Sequence, residues 1–204
     1  MDAYTKKVLE AANQPSFNER GLLNAWIPPE DEIQASLMQP KEGTFGDWME
    51  SRVARRSSRT YDWNALKFQA DIDPRYGRAQ MRYMGTGATG VSTDANTVPS
   101  AHFTFSTMVV PAGGIGPNHI HWDCEEVFFV LRGKMKIFCE KDGQKWEAEL
   151  HERDLISVPP GVYREEHNIG DEEALMCVMI GSPKPITPVY PPDSPLTHAK
   201  RPQL

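Results

Sequence analysis

The apolar residues of this chain change rhythm near residue 100. From there to about residue 180 they come in short runs, alternating or continuous. Turn-forming residues break these runs at intervals of roughly 8–12 positions, the signature of a β-sandwich or barrel. The pattern predicts strands over His102–Val110, Glu126–Leu131, Met135–Cys139, Trp146–Leu150, Asp154–Val158, Val162–Asn168 and Ala174–Ile180. Asp142-Gly143 joins two of them as a hairpin turn of the kind that needs positive φ. Pro159-Pro160-Gly161 stops another.

The segment before residue 100 is polar and broken by proline and glycine. Tyr4, Val8 and Ala11 or Ala12 recur at helical spacing and predict a short N-terminal helix. Thr44-Phe-Gly-Asp47 has the form of a capping box and predicts a second helix through about Ala54, with Gly46 weakening it. Thr60–Phe68 and Ala79–Met84 carry enough aromatic and β-branched residues to predict strands. Arg52, Arg55, Arg56 and Arg59 would form one basic face if the second helix extended that far. Gly85, Gly87 and Gly90 have dinucleotide-loop spacing, but poor helix formers follow, so a plain glycine loop is expected. After Ser182 the chain is proline-rich, as suits an extended arm laid over the surface or over a partner subunit. Three parts result: an extension over 1–100 with short helices and strands packing on the barrel, the barrel over 101–182, and an arm over 183–204.

Composition narrows the function. A chain of 204 residues with net charge −6 suits neither a nucleic-acid binder nor an anionic membrane surface. No apolar run approaches membrane-spanning length, and the N-terminus leads into a polar stretch and not into a signal-like apolar one. The three cysteines, Cys124, Cys139 and Cys177, are widely spaced and read as reduced thiols of a cytoplasmic protein.

Chemistry concentrates between Gly113 and Gly133. His119 and His121 stand two apart, so on a strand both face one side, and a turn through Trp122–Glu125 can return Glu126 to them. Two imidazoles and a carboxylate suit a divalent transition metal with open positions. Trp122 and Tyr163 flank these positions and are candidates to contact a substrate, although packing would explain them equally.

With these residues in place, the stretch resembles the cupin family. The family's first motif is a glycine, five residues, His-x-His, three or four residues, Glu, six residues, Gly. Gly113, His119, His121, Glu126 and Gly133 fill it. Its second motif is matched at Pro159, Gly161 and Asn168, while Arg153 stands where the opening glycine is expected and Arg164 where the fourth ligand, a histidine, is expected. The resemblance covers about 101–182. It implies an all-β fold, a double-stranded β-helix or jelly-roll barrel, here with a partly helical N-terminal extension. It also implies a metal held by His119, His121 and Glu126. It does not imply a reaction, since similar proteins include dioxygenases, isomerases, epimerases, decarboxylases, lyases, sugar-binding modules and seed storage proteins.

Arg164 cannot ligate a metal, because arginine offers donors only. Either it faces the open positions and anchors an acid group, or it neutralises Glu126 where no metal binds. Alternation turns Glu166 inward with it and His167 outward, unless a bulge makes His167 the fourth ligand. Counting Glu126, Glu166 and Arg164, a divalent metal leaves +1 and its absence −1.

The leading expectation is a metal-dependent, dioxygenase-like oxidoreductase acting on small anionic organic molecules, aromatic ones included. Fe(II) leads Mn, Ni and Zn, Arg164 anchors the substrate and Glu166 moves protons. The alternatives are an isomerase, epimerase or lyase, with or without metal, and a non-enzymatic binding module with a degenerate site. Barrels of this kind often pair through exchanged N-terminal strands, so a homodimer is expected.

Overall fold

A computed structural model describes residues 38–88, 97–183 and 185–200. The N-terminal helix expected around Tyr4–Ala12 lies outside the described residues. Among these residues nine strands form the two antiparallel sheets that the alternation predicts, although the strand Ile115–Ile120 is not one of those expected, its apolar pattern being broken by glycine and proline. They are β1 (Ala79–Met84), β2 (Thr104–Val110), β3 (Ile115–Ile120), β4 (Glu126–Arg132), β5 (Met135–Lys141), β6 (Gln144–Leu150), β7 (Leu155–Val158), β8 (Tyr163–Asn168) and β9 (Ala174–Ile180). One sheet runs β1-β2-β9-β4-β7 and the other β3-β8-β5-β6.

Side-chain alternation makes the core. β9 buries Ala174, Met176, Val178 and Ile180, and β4 buries Glu126, Phe128 and Val130. Met135 and Ile137 of β5 meet them from the opposite sheet. The β5–β6 hairpin turns at Asp142-Gly143, where both residues take positive φ (52° and 74°), as a two-residue turn requires.

The segment before the barrel corrects two expectations. Thr44 does cap a helix, α1 (Phe45–Ser51), by a reciprocal capping box with Asp47. The helix ends at Ser51, however, and the four arginines do not share a face. Arg55 pairs with Glu50, Arg56 lies over the Tyr61 ring, and Arg59 is buried and donates to the Arg82 carbonyl at 2.8 Å. Thr60–Phe68 is not a strand. The Asp62 side chain accepts from the amides of Asn64 (2.8 Å) and Ala65 (3.2 Å), which turns the chain away from extended geometry. A short helix, α2 (Lys67–Ala70), follows and buries Phe68 and Gln69.

The barrel and its flanks share one core. β1 pairs with β2, so the extension supplies an edge strand of the larger sheet. The proline-rich arm lies along the barrel: Val189 bridges to Ile120 of β3, and Ile186, Tyr190 and Leu196 are buried.

Candidate metal centre

The site begins with an irregularity in β3. Gly116 pairs with Glu166 and His119 with Arg164, so three steps along β3 oppose two along β8. That extra residue is a β-bulge at Pro117-Asn118, where proline's missing donor costs the ladder nothing. Without it, strict alternation from Gly116 would turn His119 outward. The bulge also orients the imidazole, because His119 Nδ1 lies 2.9 Å from the Pro117 carbonyl. An Nδ1 proton donated there leaves the Nε2 lone pair free for a metal.

His119 Nε2 is 3.2 Å and His121 Nε2 3.6 Å from Glu126 Oε2. One ligand atom from each of the three residues lies within 4.8 Å of the others, and all three residues are buried. Burial alone would raise the Glu126 carboxyl, but His121, His119 and Arg164 outweigh it and hold it down at about 2. An ionised carboxylate and two imidazoles aimed at one point are the donor set a divalent transition metal takes, so the residues fit one. His121, Asp123 and Cys124 form a second cluster of donors. There burial pushes the Cys124 thiol well up and the thiol donates to Asp123 at 3.3 Å, which suits packing in the loop better than metal ligation.

Arg164 is fully buried, but it does not line the cavity. It lies against Glu126, with Nε 3.8 Å from Oε2, the oxygen both histidines approach, and Nη2 donating to the Pro159 carbonyl at 3.0 Å. Its Nε and Nη1 have no hydrogen-bond partner, and burial pulls its pKa down against Glu126. The expectation that Arg164 faces the open positions is corrected: it is absent from the cavity lining and takes the other expected place, paired with Glu126. Glu166 does face inward and lines the cavity. Burial pushes its carboxyl up against the pull of Arg78 and His119. His167 faces outward, bonded to Glu165 and packed on Phe138 with centroids 4.8 Å apart, so it is not a fourth ligand. Tyr163 also faces outward, in a groove with Phe138 and Trp146 on the outer face of the smaller sheet. Trp122 packs beside Gly161 and does not line the cavity. Both are corrected as substrate contacts.

Residues outside the motifs close the site. Arg78 donates from Nη1 to Glu166 and from Nη2 to Gln69 Oε1 at 2.6 Å, and Gln69 Nε2 bonds Tyr190 Oη at 2.8 Å. Glu166 of the barrel is thus linked through the extension to the arm. The cavity is small, about 60 Å³. His119, His121, Glu126, Glu166, Arg78 and Gln69 give it a polar end; Leu66, Phe68, Phe128, Val178 and Ile180 line the rest. Only Glu166, by its inward position, pointed toward this network in the sequence.

A family model described as "Cupin domain" matches residues 106–181. A germin-like protein of Morus alba is 26% identical over 117 residues, which are 50% of this chain and 56% of that protein. The chain therefore spans about half the length of the curated relative it matches. Among solved structures, Peruvianin-I, a cysteine peptidase from Thevetia peruviana latex, aligns with TM-score 0.52 and 16% identity over 72% of this chain and 80% of that one. An oxalate oxidase aligns with TM-score 0.45 and 20% identity over 56% of this chain and 55% of that one. Such identities establish likeness of fold alone. Among the described residues no helix is long and apolar enough to cross a membrane.

Proposed function

Residues 106–181 are a cupin domain, and from that premise we propose that the chain is a metal-dependent oxidoreductase acting on a small anionic organic molecule. One observation carries the proposal: two buried imidazoles and a buried carboxylate converge within 4.8 Å, with the His119 tautomer set by the Pro117 carbonyl. His119, His121 and Glu126 would hold the ion. Fe(II) leads, with Mn, Ni and Zn as alternatives, because this donor set leaves positions open. When bound, such an ion supplies Lewis acidity and a place for oxygen and substrate to meet. The chain's own part is to exclude water with the apolar wall and to hold or move a proton at Glu166, whose raised pKa suits that role. A homodimer belongs to the same proposal, and sedimentation of the full chain tests it.

A second reading has support of its own. Glu126 is already surrounded by His119, His121 and Arg164, so it is compensated without an ion. A metal-free isomerase or lyase, or a binding module, follows from that arrangement. Metal content of freshly purified chain separates the two. Near one equivalent of a transition metal, lost in His119→Ala, supports the first reading. Less than about a tenth of an equivalent, unrestored by soaking, sinks it.

A further inference from the structure

Four buried charged side chains meet at the cavity: Glu126 and Glu166, which line it, Arg78, which also lines it, and Arg164, which pairs with Glu126. Arg78 was invisible to the motif. It lies 88 residues from Glu166 in sequence, at the end of the segment that leads into β1. With it counted, and with Glu166 ionised, the four charges cancel. A divalent ion on the two histidines and Glu126 then leaves +2 in a small, partly apolar space. Uncompensated charge of that size is costly, and a bound anion is the natural remedy.

Arg78 is the cation placed to hold it. Each of its two terminal nitrogens carries two protons and has committed one, to Glu166 and to Gln69. Its Nε has no partner, and neither has Glu166 Oε2. Both side chains are more than nine-tenths buried. The strand opposite is cut back to receive them: a Cβ on Gly116 would overlap both the Glu166 carboxylate and the Arg78 guanidinium. The room beyond is small and apolar. An apolar cavity of about 150 Å³ holds a benzene ring, and this one offers about 60 Å³.

We propose that Arg78 anchors the acid group of the ligand and that the ligand is the carboxylate of a short aliphatic acid, its apolar end against Phe68, Phe128 and Val178. The inference rests on the metal-binding reading and replaces Arg164 by Arg78 as anchor.

Calorimetric titration of the cobalt-loaded full chain, with metal content measured alongside, tests it. The probes are propionate, 2-oxobutyrate, neutral propionamide and benzoate. The two short acids should bind and the amide and benzoate should not. Glu166→Gln removes a negative charge and should leave acid affinity equal or higher. The double variant R78M/E166Q leaves no unpaired carboxylate, and, with its fold checked by a thermal melt, it should bind the acids about tenfold or more weaker than Glu166→Gln, at equal metal content. Equal affinity in those two variants would make Arg78 a structural ion-pair partner and overturn the proposal. Full metal with no acid binding in the unmodified chain overturns it too, and tighter binding of benzoate than propionate overturns the assigned size. A chain that takes up no cobalt fails at the earlier step: the metal reading falls, and this inference with it.

Discussion

At the scale of single residues, what a side chain does here depends on what stands behind it. Arg164 is buried 3.8 Å from the Glu126 oxygen that a metal would share. If no ion is bound, Arg164 supplies part of the compensation for Glu126; with an ion bound, the two positive charges compete. Arg164→Met should therefore cost the chelated protein more stability than the metal-loaded one, up to about 3–5 kcal/mol without metal. Paired thermal melts check it, and equal losses in both states would exclude a shared role at Glu126. Arg153 gives a second case. The family pattern expects glycine there, and the residue sits at φ 73°, in the left-handed region, while its amide donates to the Val130 carbonyl at 2.8 Å. A left-handed non-glycine residue costs roughly 1–2 kcal/mol, partly offset by the looser unfolded chain that glycine brings. Arg153→Gly should raise the urea midpoint by an amount worth about 1 kcal/mol or less, at unchanged slope, and Arg153→Ala should not. If alanine stabilises as well as glycine, backbone strain is not the cause.

Among the elements, the strands were legible and the departures from them were not. Alternation along β8 placed Arg164 and Glu166 inward and His167 outward, and all three stand so. That His119, His121 and Glu126 converge was legible from their spacing in the motif. The bulge in β3 was not read, although Pro117 was its signal, and it is the bulge that turns His119 inward. Thr60–Phe68 misled because its aromatic content favours a strand, while the Asp62 side chain bonds its own backbone and wins locally. Arg78 and Gln69 were out of reach of any local pattern, since only the register of β1 on β2 brings them over the barrel. The fit between β3 and β8 makes its own test. Gly116→Ala forces the Glu166–Arg78 pair aside and should cost on the order of 1–3 kcal/mol, as overpacking does. Gly143→Ala, which meets nothing within 4 Å and is strained only by its φ of 74°, is the control. A denaturation midpoint unchanged in Gly116→Ala, while the control loses the cost of its left-handed backbone, would show that the pair relocates freely.

For the whole molecule, the two sheets are finished differently at their two sides. On one side the outer strands are covered: Val189 of the arm bridges to Ile120 of β3, and Asp62 bridges to Gln80 of β1. On the other side the outer strands are β6 and β7, and Trp146 and Leu155 are more than half exposed. The covered side is also where the cavity lies, so one set of contacts both hides strand edges and closes the site. Tyr190 contributes to both, as a buried ring and as the hydroxyl that receives Gln69. The candidate ligands His119, His121 and Glu126 sit on the barrel itself, and none belongs to the arm. Ending the chain after Ser182 should therefore separate metal binding from site closure. Metal content should stay near that of the full chain. Stability should fall by several kcal/mol, because Ile186, Tyr190 and Leu196 each lose roughly 1.5–3 kcal/mol of burial, less the freedom the arm regains. Amide exchange at Ile120 should speed up as its bridge to Val189 is lost. A truncated chain that loses metal in proportion to its folded fraction would agree with this division. One that stays fully folded yet binds no metal would mean that the arm shapes the ligand set itself, and the division would fail.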